Sequence, residues 1–377
     1  MPPPGLARRQ WLLAAGSALT LPRYALAAPG DRILMPRPLD FPRDHGSHND
    51  TRTEWWYLTG HGVTRDRREL GFQVTFFRSR VDVARDLRSR LAARQLLFAH
   101  AAITDLRQGR LLHDQRIARW NGVSPGTGSA TEPAFASDQD THVRLHDWWF
   151  RRFDGDRYQT RVDGGDIGIH LEARPRQALL LQGDRGHSRK GPDPAQASFY
   201  VSHPQLAVSG QLRLGTETLN IEGSAWLDHE WSEALLHPEA HGWDWIGMNL
   251  HNGDSLTAFQ LRRADGSALW AGGSWRGDGG QRDPLAGLRF GPDQVHMQAG
   301  KRWTSALTQA RYPVEWQLDT PAGRFRVQPL LDKQELDSRQ STGTAYWEGL
   351  SDLLDAAGRP VGRGYLEMTG YAGRLNL

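Results

Sequence analysis

An all-β fold, built as an antiparallel sandwich or barrel, is what this chain predicts, on two observations. Short alternating runs recur along its length ("GFQVTFFRSR", "LFAHAAITDL", "IGIHLEARP", "FYVSHPQLAVSGQLRL", "SLTAFQLRRADG", "YPVEWQLDTPAGRFRVQPLL", "RGYLEMTGY"), separated by Gly, Asp, Asn and Pro turns. Helical periodicity is scarce by comparison. Many strands with little helix must bury sheet against sheet or close a sheet on itself.

The first 27 residues stand apart from this pattern. Arg8 and Arg9 precede an apolar run from Trp11 to Leu21, with small residues at Ala25 and Ala27. The run falls short of the roughly 20 residues that span a bilayer, so it reads as an export signal cleaved after Ala27 rather than an anchor. The Arg-Arg-Gln-Trp-Leu-Leu order suggests the twin-arginine route, with an ordinary Sec signal as the alternative. A soluble periplasmic protein is the expectation, since no later segment is apolar enough to cross a membrane.

Charge and cysteine content narrow the function classes. The chain has 46 Lys+Arg against 43 Asp+Glu, and residues 1–27 hold three arginines and no acid, which leaves 43 of each sign in the mature protein. That balance gives no support for a nucleic-acid partner. With no cysteine, disulfides and lipid attachment through an N-terminal cysteine are excluded.

The elements follow in chain order. "EWWYLTGHGVTRDRRELGFQVTFFRS" (54–79) reads as a hairpin; alternation puts Trp55 and Tyr57 on one face and Glu54, Trp56 and Leu58 on the other. Core packing accounts for these aromatics, and a ligand-contacting role for Trp56 or Tyr57 is the functional alternative. "ARDLRSRLAARQLLF" (84–98) is the best helical candidate, and "WSEALL" (231–236) could give one helical turn. "GHSRKG" (186–191) is one residue short of a Gly-x-Ser-x-Gly elbow, so Ser188 with Lys190 is only a faint acyl-transfer hint beside a basic loop at a barrel mouth.

"SAWLDHEWSE" (224–233) sets Asp228, His229 and Glu230 between Trp226 and Trp231. Burying such groups unpaired costs several kcal/mol, so they are either tied into the architecture or kept for chemistry. Strand alternation places Asp228 and Glu230 on one face and His229 on the other. "HPEAH" supplies His237 and His241, but Pro238 opposes a helical zinc pair, so no metal site is assigned. "GWDWIGMNLHNGDSLTAFQLRRADG" (242–266) can be laid over the first hairpin, and either chance or two similar β-domains explains the likeness. Their boundary is set at 28–232 and 233–377, with the quoted stretch at the junction, where binding sites are frequent. "TAYWEG" places Tyr346 and Glu348 on one face; a salt bridge to one of the many arginines is the structural alternative to an interior acid. No P-loop or Gly-x-Gly-x-x-Gly appears, and no cofactor is assigned.

Six motifs in order, "HNDTRTEWWYLTGH", "GHSRKGPDPAQASFYVSHPQL", "GSAWLDHEWS", "GWDWIGMNL", "TGTAYWEG" and "GYLEMTGY", resemble the carotenoid 1,2-hydratase (hydroxyneurosporene synthase) family and its secreted AttH-like relatives, the "predicted secreted hydrolases". The resemblance runs from about Asp44 to Tyr371. It implies two lipocalin-like antiparallel β-barrel domains packed together and a hydrophobic, isoprenoid- or lipid-like ligand. The family also includes fungal cyclisation enzymes and members of no known activity.

Two classes of function follow. In the first, a carboxylic acid protonates an unsaturated apolar substrate, aromatic faces stabilise the cation, and water completes hydration or hydrolysis without a cofactor. Asp228, His229, Glu230 and Asp244 are its catalytic candidates; Trp231, Trp243 and Trp245, with Trp56, Tyr57, Tyr346 and Glu348, are its ligand contacts. "SLTAFQLRR" carries no carboxylate in the strand where the resemblance implies an acid in the hydratases. In the second class the same aromatics only hold a lipid-like ligand, and a periplasmic carrier works with an inner-membrane transporter.

Overall fold

The computed structural model describes residues 33–84, 86–87, 92–124, 133–234, 236–277 and 282–374. The expected export signal at 1–27 lies outside them. Among the described residues the strands form a 13-stranded sheet spanning Thr53–Val63 to Glu217–Ser232, a 10-stranded sheet spanning Gly242–Leu250 to Pro360–Met368, and a two-stranded ribbon. Strand pairing is antiparallel throughout. The fold is the β-barrel type expected of a lipocalin-like protein.

The first sheet curls until its edge strand Arg110–Trp120 meets the far end. There the Arg116 guanidinium lies 4.8 Å from the Trp148 ring and donates to the Asp163 carbonyl, so side chains close what the ladder leaves open. Its interior is filled by one face of each strand: Trp56 and Leu58, Val74 and Phe76, Ala225 and Leu227. The second sheet packs Ile246, Met248, Leu256, Trp316, Trp347 and Leu366 on its own inner side. Each large apolar side chain buried this way contributes about 1.5–3 kcal/mol. The lumens are therefore packed cores.

Period-two alternation sends the neighbouring residues to the opposite faces. Tyr57 and Trp226 from the first sheet meet Trp245, Phe259, Leu350 and Tyr365 from the second, forming a third apolar cluster between the sheets. The two tryptophan-rich hairpins are real: Thr53–Val63 pairs with Glu69–Arg80, and Gly242–Leu250 with Ser255–Arg262. Each carries a buried acid–arginine pair toward its own core, Glu54 with Arg78 at 2.8 Å and Asp244 with Arg262 at 2.6 Å.

Two helical expectations fail. Residues 95–98 of the 84–98 candidate belong to the strand Gln95–Asp105, because "LLFAHAAI" is apolar enough to be covered on both faces between two neighbouring strands. Among the described residues Asp82–Ala84 makes a short 3-10 turn before it, and residues 85 and 88–91 of the candidate lie outside them. In "WSEALL", Trp231 and Ser232 complete a strand and the chain then bends, so no turn of helix forms among the described residues.

Candidate functional site

Four rows of cross-strand neighbours build a cavity between the sheets. On the first sheet one row runs His100, Thr75, Tyr57, Asp228, Ser202, and the next Phe77, Trp55, Glu230, Tyr200. Facing them, the second sheet offers Phe259, Trp245, Glu367, Glu348, and beside these Leu261 and Trp243. Lys190, from the loop after His187–Arg189, and Tyr346 complete the wall. The lining is mostly aromatic, yet it holds four carboxyl groups: Asp228, Glu230, Glu348 and Glu367.

Their environments differ. Glu230 is paired with Lys190, whose Nζ lies 2.9 Å from Oε1, and takes a short hydrogen bond from Ser198. Asp228 accepts from Tyr200 and Ser202 hydroxyls at 2.6 Å and from the Trp226 indole at 2.7 Å. Burial nonetheless pushes its pKa up to about 7, against those three donors. Glu367 is pushed up to about 8 by burial, with the Trp243 indole opposing. Glu348 lies 1% exposed and is held well above the carboxylate range by burial and by Glu367 beside it. Its Oε1 accepts a short hydrogen bond from the Tyr57 hydroxyl across the sheet interface, while its Oε2 has no partner among the described residues. The arrangement thus raises the pKa values of Asp228, Glu348 and Glu367 in an apolar, aromatic space, the direction that proton donation near neutral pH requires.

The structure divides the sequence-derived candidates. It brings Asp228, Glu230, Tyr57, Trp243, Trp245, Tyr346 and Glu348 to the cavity. His229, Trp56, Trp231 and Asp244 fall on the opposite strand faces, away from this cavity. The ring of His229 stacks on Trp56, centroids 4.8 Å apart, and its Nε2 donates to Glu54 at 2.9 Å. Trp231 stacks on His48 at 3.7 Å. Asp244 is fully engaged by Arg262, Gln260 and Tyr371 inside the second sheet. The aromatics that the first hairpin gives the cavity beside Tyr57 are Trp55 and Phe77.

Glu54, His48 and His229 place ligand-type atoms within 4.8 Å of one another. These donors are already committed: His48 Nδ1 at 2.8 Å, His229 Nε2 and the Arg78 Nε at 2.8 Å all point at the Glu54 carboxylate. A guanidinium occupying the carboxylate is the wrong setting for a cation, and the group reads as a polar knot. Sequence reasoning missed Glu367 and the pairing of Lys190 with Glu230. Glu367 could have been found from the pairing of "YLEM" with "YWEG", which sets it opposite Glu348. The strand "SLTAFQLRR" supplies only Phe259 and Leu261, and Glu367 of Pro360–Met368, on the far side of Gly242–Leu250, brings the acid to this wall.

Gly247 shapes the wall as well. A Cβ there would lie 2.4 Å from Cη2 of Trp245, whose Nε1 donates to Tyr200 at 3.0 Å. Gly247→Ala is expected to cost about 1–3 kcal/mol by overpacking and to shift tryptophan emission. Unchanged denaturation and emission would show that the indole has room to move.

A family model described as AttH-like matches residues 32–371. No curated protein matches the chain. The crystal structure of an AttH protein from Nitrosomonas europaea is similar, with 43% identity and a TM-score of 0.80, covering 90% of this chain and 99% of that one. Similarity in fold alone extends to kievitone hydratase from Nectria haematococca (14% identity, TM-score 0.64, 91% and 95% covered). It also extends to CghA with Sch210972 (12% identity, TM-score 0.52, 90% and 96% covered).

Proposed function

The chain belongs to the AttH-like family, and from that premise we propose that its interfacial cavity adds water to an apolar, isoprenoid- or lipid-like small molecule by acid catalysis, as a hydratase or hydrolase without a cofactor. The observation that carries this reading is Glu348, a buried carboxyl of an aromatic cavity, held well above the carboxylate range by burial, whose Oε2 has no partner among the described residues. Its proton passes to one carbon of the double bond, and the electron pair of that bond forms the new C–H bond. The cation left on the other carbon faces the indoles of Trp243 and Trp245. Water then adds to it, and a proton of that water returns to the carboxylate. Asp228 and Glu367 flank the path and keep the cavity ready to accept that proton. The fold shared with a protein named as a hydratase supports the assignment.

The Arg8–Arg9 signal pattern supports a periplasmic location for this chemistry. Native mass spectrometry of protein from a periplasmic extract, followed by incubation with a panel of apolar alkenes and esters in ¹⁸O water, tests place and reaction together. The expected outcome is a protein lacking residues 1–27 that forms ¹⁸O-labelled alcohol or acid. Glu348→Gln is expected to lower the rate by about 10²–10⁴-fold, and Asp228→Asn to fold and lose turnover. A co-purifying apolar molecule with no labelled product would instead establish a carrier, with a transporter as its partner.

A further inference from the structure

We infer that the cavity between the sheets is a receptor for a hydrophobic cation: a ligand with an ammonium head on an apolar body, seated against the Glu348–Glu367 pair. Three observations carry this, and none depends on turnover. The first is an imbalance of charge. Among the described residues lining the cavity, four carboxyl groups face one ammonium, Lys190, and Glu230 already takes it. Asp228, Glu348 and Glu367 are left without a cation.

The second is the free oxygen of Glu348. Glu348 lines the cavity, and in this side chain, 1% exposed, Oε2 is buried with no partner among the described residues. Glu367 stands directly opposite it in the register of the two strands. Like-charged groups in that position repel, so the pair is stable only when a proton or a cation lies between them. A buried polar atom left unmade is costly, and a ligand that satisfies it gains that cost back.

The third is that the wall already shows how it holds an ammonium. Lys190 Nζ lies 4.2 Å from the Phe259 ring centroid and 4.5 Å from that of Tyr200, with a carboxylate at 2.9 Å. Around Glu348 and Glu367 the same parts recur without the ammonium: Trp243, Trp245 and Tyr57 beside two carboxyls. Aromatic faces with an adjacent carboxylate are the usual recognition chemistry for alkylated ammonium groups.

A cation bound there requires one carboxyl of the pair to ionise, so binding releases a proton to solvent. The groups that face the bound charge are Tyr57 from Thr53–Val63, His100 from Gln95–Asp105, Tyr200 from Ala197–Leu214 and Lys190 from the loop before it. Asp228 and Glu230 face it from Glu217–Ser232, Tyr346 and Glu348 from Ala345–Leu354, and Glu367 from Pro360–Met368. Of these, His100 is neutral through burial and the tyrosines keep their protons, which leaves the carboxyls as the proton source.

The test compares benzyltrimethylammonium with neopentylbenzene, which has the same shape without the charge, by tryptophan fluorescence and by calorimetry in two buffers of different ionisation enthalpy. The ammonium is expected to bind at least about tenfold more tightly and to release about one proton per site. Glu348→Gln and Glu367→Gln, each checked by thermal melting, should each erase most of that preference. Equal or tighter binding of neopentylbenzene to the wild-type protein overturns the inference, as does a preference that survives in both variants. The inference shares its cavity with the hydration reading but fails separately. Labelled product with no charge preference sinks only the receptor, and charge preference with no labelled product sinks only the hydration.

Discussion

Arg78→Met is expected to leave little folded protein at room temperature. The guanidinium is fully buried and bonds to Glu54, to the backbone carbonyls of His48 and Thr51, to the Thr51 hydroxyl and to Gln95. Burial would raise the pKa of Glu54, but Arg78, His48 and His229 together hold it well below the carboxylate range. Removing the arginine leaves that charge buried, at a cost of about 3–5 kcal/mol. Several acceptors also lose their donor at about 1–3 kcal/mol each. The total rivals the roughly 5–15 kcal/mol by which a domain is stable. Soluble yield and the urea midpoint measure it. A midpoint within about 1 kcal/mol of wild type would show that water enters and replaces the guanidinium.

The second large effect is a loss of stability between pH 6.5 and 8. A carboxyl whose folded pKa is raised binds more protons folded than unfolded, so its contribution declines from the unfolded pKa up to the folded one. Asp228, at about 7, and Glu367, at about 8, both behave this way, and Glu348 has the same sign. The histidines with depressed pKa values, His45, His61, His100, His113, His142, His203 and His229, act in the opposite sense, and their effect fades as pH rises past the unfolded histidine value of about 6.5. Between pH 6.5 and 8 Glu367 contributes a decline of about 2 kcal/mol, against a residual rise of about 0.4 kcal/mol from each such histidine. Denaturation at pH 6.5 and 8 should show the wild-type protein losing about 2 kcal/mol more than Glu367→Gln over this window. An equal change in the two proteins would mean that Glu367 is already ionised at pH 6.5.

Strand parity made part of the site legible before any coordinates. Asp228 and Glu230 had to share a face that His229 did not, and they do. The same parity could not say which face was the cavity. Composition favoured Trp56 and Trp231 because a tryptophan beside an acid looks the same whether it fills a core or lines a site. The deciding fact was the partner of Glu54, 24 residues along at Arg78, which turns that face inward. Glu367 was hidden for a related reason: alone in "GYLEMTGY" it is one acid among many, and it gains meaning only opposite Glu348. The helix at 84–98 failed because leucines spaced for a helix can equally serve a strand covered on both sides.

The placement of the cavity has a consequence for how such a protein diversifies. Its lining alternates, residue by residue, with side chains that belong to one or other packed interior, and each interior is secured by its own acid–arginine pair. Substitutions at the outward-facing positions therefore leave both interiors untouched. Those at 55, 57, 243, 245, 259 and 261 can be exchanged as an independent set, while 56, 58, 246 and 248 stay fixed. Mutational tolerance should run in stripes along each strand, every second residue free to explore new ligands on a scaffold whose remaining residues are held to one solution.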